Sequence, residues 1–495
     1  MGQEHCNYID GKWKPSNSGR TFENLNPANK TDIIGLFPRS DATDIDGAVK
    51  AARLHFPKWR RVPAPRRAEI MFRAAELMVK RKDELARLMT REMGKVLEEA
   101  SGDVQEAIDM TYYIAGEGRR LFGQTTPSEL PDKFAMSVRV PIGVVAAITP
   151  WNFPLAIPSW KLIPALVAGN TVVFKPAEDT PLMAQRLVEL LLAAGLPEGV
   201  LNLVQGTGEE TGAALVRHPD VDLVSFTGSC ETGREVAIAC AEHYKKVSLE
   251  MGGKNPIIVM DDADLDLALE GAVWGAFGTT GQRCTAASRL ILHRAVLCDF
   301  TDRLVERAQK LRLGDGLLLT TDVGPIINEA QLKRVHSYTE LAKQEGARIL
   351  TGGYIYTEGE CAKGFFYAPT IFADVAPDMR IAQEEIFGPC PAIIAVNSLP
   401  EAIDVANSTK YGLSAAIYTR DVNQAFTAMR DIEAGITYVN SSTIGAEVHL
   451  PFGGVKQTGN GHREGSAAVL DVFTEWKTLY IDYSGRLQKA QIDKE

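Results

Sequence analysis

Cys284 is the residue with the clearest chemical potential in this chain. It ends a run of small and polar residues that leaves its sulfur accessible, Gly278-Thr279-Thr280-Gly281-Gln282-Arg283-Cys284. A thiolate is the nucleophilic form of cysteine, and positive surroundings lower the pKa of a thiol from about 8.5. Arg283 could supply that positive charge. A buried cysteine that packs as a small apolar side chain accounts for the same residue equally well, so other motifs must decide.

Glu250 is a second candidate. It directly follows the apolar run Lys246–Leu249 and precedes two glycines. Beside a pocket it would lose part of its hydration, which raises the pKa of a carboxyl group and suits it to the role of general base. An ordinary exposed loop carboxylate is the alternative.

Three predicted strands end in residues suited to ligand binding, and ligands of parallel sheets bind outside these carboxyl ends. The three segments are Ile148–Pro154, Phe174–Pro181 and Phe226–Gly233. Gly228 and Ser229 could present backbone N–H groups to an anion, or Ser229 could simply cap a helix. The glycine-rich turn Gly206–Gly212 only approximates a nucleotide-binding fingerprint, and a turn that opens a helix is its alternative.

Lys175 and Glu178 flank a turn stiffened by Pro176. Together they could hydrogen-bond the two hydroxyls of an adenosine ribose, and the carboxylate would repel a 2′-phosphate. A solvated Lys–Glu pair is the alternative.

The elements that must position these residues form two βα series and a small additional sheet. Short apolar runs alternating with helical segments predict parallel sheets and an α/β fold. The first series has strands at Val144–Ile148, Thr171–Phe174, Leu201–Val204, Leu223–Phe226, Lys246–Leu249 and Pro256–Val259. The second has strands at Arg289–Leu292, Ala347–Leu350, Pro391–Val396, Ala415–Tyr418 and Gly435–Val439. Residues 42–118 are predicted to be helical, 7–13 to form a hairpin, and 135–140 with 476–483 to form a small projecting sheet.

Length, charge and cysteine content argue against a nucleic-acid-binding, membrane-spanning or disulfide-bonded secreted protein. The chain has 495 residues, which suggests two to four domains, and a formal net charge of −10, which argues against a nucleic-acid partner. No apolar run approaches the roughly 18 residues of a membrane span, and the first residues lack the apolar core of a secretory signal. The seven cysteines are scattered without a CxxC pair, so we expect neither disulfides nor structural zinc, and a cytoplasmic location.

Taken in order, the motifs resemble the aldehyde dehydrogenase superfamily, in its NAD(P)-dependent, hydrolytic form. The resemblance covers nearly the whole chain. It is carried by Thr149–Pro154, Lys175–Pro181, Phe226–Gly233, Leu249–Pro256, Gly281–Cys284, Glu384–Pro389 and Pro451–Lys456.

The resemblance implies roles for individual residues. Cys284 would be the nucleophile, Glu250 the general base, and the Asn152 amide with the Cys284 backbone N–H the oxyanion hole. NAD, with NADP as an alternative, would be held by Thr149, Pro150, Trp151, Lys161, Lys175, Glu178, Gly208, Gly228, Ser229, Glu385 and Phe387. Aromatic walls of a substrate tunnel would be Phe153, Trp160 and Phe452, for which core packing is the alternative. No metal is expected.

The implied reaction explains these residue types. The Cys284 thiolate would add to an aldehyde, and Asn152 would stabilise the resulting oxyanion by about 3–4 kcal/mol. Hydride transfer would leave a thioester, which water activated by Glu250 would hydrolyse to the acid. Relatives that transfer the acyl group to coenzyme A lack this glutamate, so Glu250 favours hydrolysis.

Substrate and assembly follow from the resemblance alone. Residues 440–452 and 459–464 are similar to the branch that acts on α-ketoglutaric semialdehyde (2,5-dioxopentanoate). A broad-specificity aldehyde dehydrogenase, a CoA-acylating enzyme and a non-catalytic binding protein are the alternatives. The implied fold is a Rossmann-like dinucleotide-binding domain (1–125 and 144–257), an α/β catalytic domain (258–455) and a small β oligomerisation segment (126–143 and 456–495). The strands 135–140 and 476–483 of the small sheet are expected to join subunits in a homodimer or homotetramer.

Overall fold

The computed structural model describes residues 2–492, which form two seven-stranded sheets and two small three-stranded sheets. Met1 and residues 493–495, which the predicted domain boundaries include, lie outside the described residues. The α/β fold class is confirmed. Across the first large sheet the strands are Lys246–Glu250, Leu223–Thr227, Val144–Ile148, Thr171–Lys175, Leu201–Leu203, Asn7–Ile9 and Lys12–Lys14.

The first five of these strands are parallel, as predicted, and only the N-terminal hairpin runs antiparallel. The hairpin turns at Asp10 and Gly11, which both have positive φ, as an Asp-Gly turn requires. From Val144–Ile148 the chain moves outward in one direction and then returns to the other side at Leu223–Thr227. This reversal opens a crevice at the carboxyl ends of the two strands, the usual ligand position in such sheets.

The second large sheet contains Arg348–Thr351, Ile371–Ala373, Ala392–Val396, Ala287–His293, Asn255–Val259, Ser414–Tyr418 and Ile436–Val439. Its first strand is antiparallel to the rest. The assignment of the 256–259 run to the first series is wrong. Asn255–Val259 pairs with Ala287–His293 and Ser414–Tyr418 at the centre of the second sheet. An apolar run predicts a buried strand but does not indicate which sheet will accept its hydrogen bonds.

Helices cover both faces of the large sheets. On the first sheet, one face packs against Ala42–Trp59 and Cys230–Ala241, and the other against the helices between residues 64 and 117 together with Ala156–Ala168. The α-helices are Ala42–Trp59, Ala64–Lys80, Lys82–Met93, Leu97–Glu117, Ala156–Ala168, Pro181–Ala193, Ala213–Arg217, Cys230–Ala241, Leu265–Phe277, Leu297–Gln309, Glu329–Gln344, Arg380–Gln383, Leu399–Asn407, Val422–Asp431 and Val469–Phe473. Within residues 2–492, no helix has the length and apolar character needed to cross a membrane.

The predicted small sheet is confirmed and has a third strand. Thr474–Asp482 pairs antiparallel with Lys133–Pro141, which in turn pairs with Gln124–Pro127. Its surface keeps large side chains exposed, including Trp476 at 52% and Tyr480 at 65%. The other small sheet contains Gln3–Glu4, Asn29–Pro38 and Thr21–Asn26.

Candidate active site

A cavity of about 670 Å³ brings the predicted reactive residues together. Cys284 and Glu250 both line it. So do the three predicted aromatic residues, Phe153, Trp160 and Phe452. The sequence therefore identified several side chains of this cavity from separate segments of the chain, between Phe153 and Phe452.

A strained turn holds Cys284. Thr279, Thr280 and Gly281 have φ of 49°, 58° and 66° in succession. Such backbone costs about 1–3 kcal/mol for each non-glycine residue and persists only where the surroundings enforce it. A Cβ on Gly281 would lie 2.2 Å from the Gly388 carbonyl oxygen, so only glycine fits there. The Asn255 amide donates to the Cys284 carbonyl at 2.7 Å and fixes the end of the turn.

Arg283 does not supply positive charge to the sulfur of Cys284 in this structure. Burial raises the pKa of this thiol, and the carboxyl groups of Glu250 and Glu385 raise it further. The Arg283 side chain is directed elsewhere, to the Thr279 hydroxyl at 2.8 Å and to Glu99 at 3.2 Å. The protein alone therefore favours the protonated thiol, and a base must remove its proton before it can attack.

Glu250 is placed to be that base and the base for water. It is the last residue of its strand and is only 5% exposed. Among residues 2–492, no group is a hydrogen-bond partner of full geometry for either oxygen of its carboxyl group. Burial raises its pKa well above the usual range, as does the charge of Glu464, while Lys161 and the nearby Gly454 N–H offset part of this effect. A carboxyl group with a raised pKa and no partner is suited to proton transfer.

Glu464 is a functional residue that the sequence analysis did not identify. It lines the same cavity and forms an ion pair with Lys161. Lys161 is fully buried and also donates to the Ser225 hydroxyl at 3.2 Å. Lys161 thus contacts Glu464 and lowers the pKa of Glu250, while its place beside the cofactor stays a prediction. The pair joins residues about 300 positions apart, and no local pattern signals it.

Asn152 is fixed beside the nucleophile. It is 3% exposed, and its amide donates to the Gln282 carbonyl at 3.1 Å. Gln282 is itself held by the Ile327 N–H, which donates to its side chain at 3.0 Å. Among the described residues, the second N–H of the Asn152 amide has no acceptor. It remains available for an oxygen that becomes negative next to Cys284.

The predicted cofactor residues lie outside this cavity, and several cluster at the sheet edge. Lys175 and Glu178 form an ion pair at 3.0 Å, and the Gly208 N–H donates to Glu178 at 3.4 Å. Burial raises the pKa of Glu178, but Lys175 and backbone N–H groups outweigh it and lower the pKa overall. The Thr149 N–H donates to the Lys175 carbonyl at 3.3 Å, which places Thr149 and Pro150 beside this pair.

Ser229 caps a helix, which was the alternative to anion binding in the sequence analysis. Its hydroxyl accepts the Thr232 N–H at 3.1 Å and caps the helix Cys230–Ala241. The Gly228 N–H donates to the Glu250 carbonyl at 3.1 Å. The first N–H groups of the helix are the ones that could meet an anion.

Glu385, Phe387 and Trp151 form a third group. Glu385 accepts the Gly253 N–H at 3.1 Å, and burial raises its pKa to about 7. Phe387 has a left-handed backbone, with φ of 61°, and its ring meets Trp151 edge to face at 5.4 Å. This group lies near the nucleophile, because the charge of the Glu385 carboxyl group raises the pKa of Cys284.

The aromatic walls serve both packing and the cavity. Trp160 and Phe452 meet edge to face at 5.3 Å and pack against the core of the first domain. Phe153 has Lys95 3.8 Å from its ring centre and Arg283 5.3 Å from it. Core packing and a substrate-facing role are therefore compatible for these side chains.

Comparison with known proteins agrees with this architecture. Residues 13–479 match the model of the aldehyde dehydrogenase family. The chain is 43% identical over 477 residues to alpha-ketoglutaric semialdehyde dehydrogenase of Bacillus subtilis, covering 96% of this chain and 98% of the relative. It is 41% identical to the NADP(+) succinate-semialdehyde dehydrogenase of Escherichia coli, covering 96% and 97%.

The fold of this chain is also similar to that of a solved structure. Betaine aldehyde dehydrogenase of Staphylococcus aureus, crystallised with NAD+, superimposes with a TM-score of 0.95 at 35% identity, covering 98% of this chain and 95% of that one. The family match covers both large sheets except the strand Asn7–Ile9 and Lys12, and it includes every residue of the predicted site. The chain therefore belongs to the aldehyde dehydrogenase family and is an enzyme that oxidises aldehydes.

Proposed function

We propose that this enzyme oxidises a short aldehyde with a distal acidic group, foremost α-ketoglutaric semialdehyde, to the carboxylic acid with NAD+. The observation that carries the proposal is the shared cavity of Cys284 and Glu250, with Asn152 held beside them. The names of two relatives at 41–43% identity, both semialdehyde dehydrogenases, support the substrate class.

The cofactor-edge residues fit a dinucleotide. Lys175 and Glu178 present a cation and a carboxylate to the two hydroxyls of one ribose, and Glu385 offers a second carboxyl group nearer the cysteine. A Cβ on Gly208 would meet nothing within 4 Å, so the turn leaves open space for a ligand. NAD+ supplies the hydride acceptor. The carboxylate of Glu178 disfavours NADP, which stays the alternative cofactor.

The chain's own groups perform the remaining steps. Glu250 accepts the proton of the Cys284 thiol, and the thiolate sulfur bonds to the aldehyde carbon. The free N–H of Asn152 and the Cys284 backbone N–H stabilise the oxyanion, a contribution of about 3–4 kcal/mol for one such donor. After loss of hydride the acyl group is a thioester on Cys284. Glu250 releases the thiol proton to solvent and then takes a proton from water, whose oxygen bonds to the thioester carbon; the C–S bond breaks, the sulfur of Cys284 recovers a proton from Glu250, and the acid leaves.

Two other functions within the family differ in measurable ways. A broad-specificity enzyme would show no preference for a distal acidic group. A CoA-acylating enzyme would form NADH only with coenzyme A present, and the position of Glu250 beside Cys284 favours water instead.

The domain division, assembly and location belong to the same proposal. Residues 1–125 and 144–257 were predicted to hold the cofactor and 258–455 to carry the nucleophile, and we move the boundary between them to 254/255 because Asn255–Val259 pairs within the second large sheet. Residues 126–143 and 456–495 would join subunits. Exposed Trp476 and Tyr480 on the small sheet support a homodimer or homotetramer. A cytoplasmic location suits a chain whose described cysteines are all free.

The decisive test is Cys284→Ala. We expect NADH formation from aldehydes to fall by about 10⁴-fold or more, since removal of a catalytic nucleophile typically has effects of this size. The variant should still bind NADH, measured by the fluorescence of the bound nucleotide, which shows that the fold is intact. Aldehyde oxidation at an undiminished rate in this variant would refute the mechanism.

A further inference from the structure

Arg283 is the only Lys or Arg side chain among the described residues that line the substrate cavity. Its guanidinium is held in place on several sides. Nε donates to Thr279, Nη2 pairs with Glu99, and the rings of Phe153 and Trp274 lie 5.3 and 5.9 Å from the guanidinium carbon. A cation fixed in this way before binding loses little freedom when it meets a ligand.

Several N–H donors of the Arg283 guanidinium have no acceptor among the described residues. A guanidinium carries five N–H groups, of which one on Nε and one on Nη2 have acceptors in the protein. Within residues 2–492 the remaining N–H groups have none. A carboxylate is the ligand that matches this planar fork of donors.

The acidic residues of the cavity do not cancel this charge. Several have cationic partners of their own: Asp103 with Lys95, Glu270 with Arg307, Asp322 with Arg312, and Glu464 with Lys161. Glu99 balances Arg283 through one of its oxygens, which accepts from both the Thr279 N–H and the guanidinium. Glu98 is exposed to solvent, which weakens its effect inside the cavity.

Glu106 is the remaining acidic residue near Arg283. It projects into the cavity from the helix Leu97–Glu117, and its carboxyl group has no hydrogen-bond partner among the described residues. Burial raises the pKa of Glu106 to about 8, as does Asp103, while Lys95 and Arg283 oppose this. At neutral pH this group therefore holds a proton that it can donate.

We propose that Arg283 and Glu106, which line the same cavity, form a subsite for the distal carboxylate of the aldehyde substrate. Arg283 contributes the charge and paired N–H donors, and Glu106 contributes one O–H donor from the helix Leu97–Glu117. Arg283 directly precedes Cys284 in the chain, so one end of the subsite adjoins the nucleophile. This inference rests on the proposed function and names the residues that would select its substrate class.

The test compares aldehydes that differ in terminal charge: succinic semialdehyde, butanal and betaine aldehyde, each with NAD+. We expect the wild-type enzyme to have its highest kcat/KM with the semialdehyde. In Arg283→Gln the ratio of kcat/KM for semialdehyde over butanal should fall by about tenfold or more, as expected for loss of a charge-assisted hydrogen bond. Arg303→Gln, which removes an arginine paired with Asp266 outside the cavity, should leave the ratio unchanged.

The outcomes separate this inference from the proposed function. If Arg283→Gln lowers kcat/KM equally for semialdehyde and butanal, the subsite is wrong while aldehyde oxidation stands. A wild-type preference for betaine aldehyde would also overturn the subsite, because it would mean that the acidic and aromatic groups select a cation. If no aldehyde yields NADH, the proposed function itself fails.

Discussion

Carboxyl groups are paired differently in two regions of the molecule: the predicted cofactor site around Lys175, Glu178 and Glu385, here called the cofactor edge, and the substrate cavity around Cys284 and Glu250. At the cofactor edge, polar groups are paired within the protein before any ligand arrives. Glu178 accepts from Lys175 and from the Gly208 N–H, and Glu385 accepts from the Gly253 N–H. Such pairing keeps Glu178 ionised, as a group that must receive hydroxyl hydrogen bonds requires.

In the substrate cavity, the carboxyl oxygens of Glu250 are buried without a hydrogen-bond partner of full geometry among the described residues, and burial raises the pKa of both Glu250 and Glu106. The thiol of Cys284 shows the same upward shift. Unsatisfied buried polar groups cost stability, so their concentration here indicates groups kept ready for substrate and water. The difference between the two regions is that one is organised to bind and the other to transfer protons.

The largest test of this contrast is Glu250→Gln. An amide cannot accept the proton of water, so steady-state turnover should fall by about 10²–10⁴-fold, the usual contribution of a general base. The first turnover should still yield NADH, because hydride transfer precedes hydrolysis, but more slowly than in the wild type, because the amide cannot accept the proton of the Cys284 thiol either. Stopped-flow absorbance separates the two phases, and hydroxylamine, which cleaves thioesters without a base, should restore turnover.

Glu231→Gln is a suitable control for Glu250→Gln. It removes an exposed carboxylate that lies close enough to affect Glu385 but outside the cavity lining. Its steady-state rate should equal that of the wild type. Unchanged turnover in Glu250→Gln would remove Glu250 from the role of base and would leave its raised pKa without a function.

The sequence predicts the features that depend on neighbouring residues, as at Lys175 and Glu178, better than those that depend on tertiary contacts, as in the substrate cavity. Glu178 and Lys175 are three positions apart, so their pairing follows from local spacing, and most strands were predicted within one or two residues from apolar runs. The pKa of Cys284 depends on burial and on the carboxyl groups of Glu250 and Glu385 from other segments, which the local sequence around the cysteine does not reveal. Glu464 and Glu106 enter the site through tertiary contacts alone, which explains why neither was identified.

An intermediate effect is expected at the cofactor edge from Glu178→Gln. Loss of the carboxylate removes its repulsion of a 2′-phosphate, so the ratio of kcat/KM for NADP+ over NAD+ should rise by about tenfold, or roughly 1.4 kcal/mol. Glu209→Gln, in the adjacent turn, controls for the change in net charge and should leave the ratio close to that of the wild type. An unchanged ratio in Glu178→Gln would mean that its pairing with Lys175 is purely structural.

The smallest effect concerns Glu106 and depends on pH. Below its pKa of about 8 the carboxyl donates a hydrogen bond to the distal carboxylate, and above it the ionised group repels that carboxylate. The kcat/KM ratio of succinic semialdehyde over butanal should therefore fall by about fivefold between pH 7 and pH 9, or roughly 1 kcal/mol of repulsion.

Glu106→Gln keeps a donor at this position but cannot ionise, so the ratio should become independent of pH in this range. The other charged groups that act on Glu106, namely Asp103, Asp109, Lys95 and Arg283, remain in place in this variant. Titration of Cys284 and Glu250 affects both aldehydes and cancels in the ratio. A pH-dependent ratio that persists in Glu106→Gln would assign the titration to one of the remaining groups, and the O–H donor of the subsite would then have to come from elsewhere.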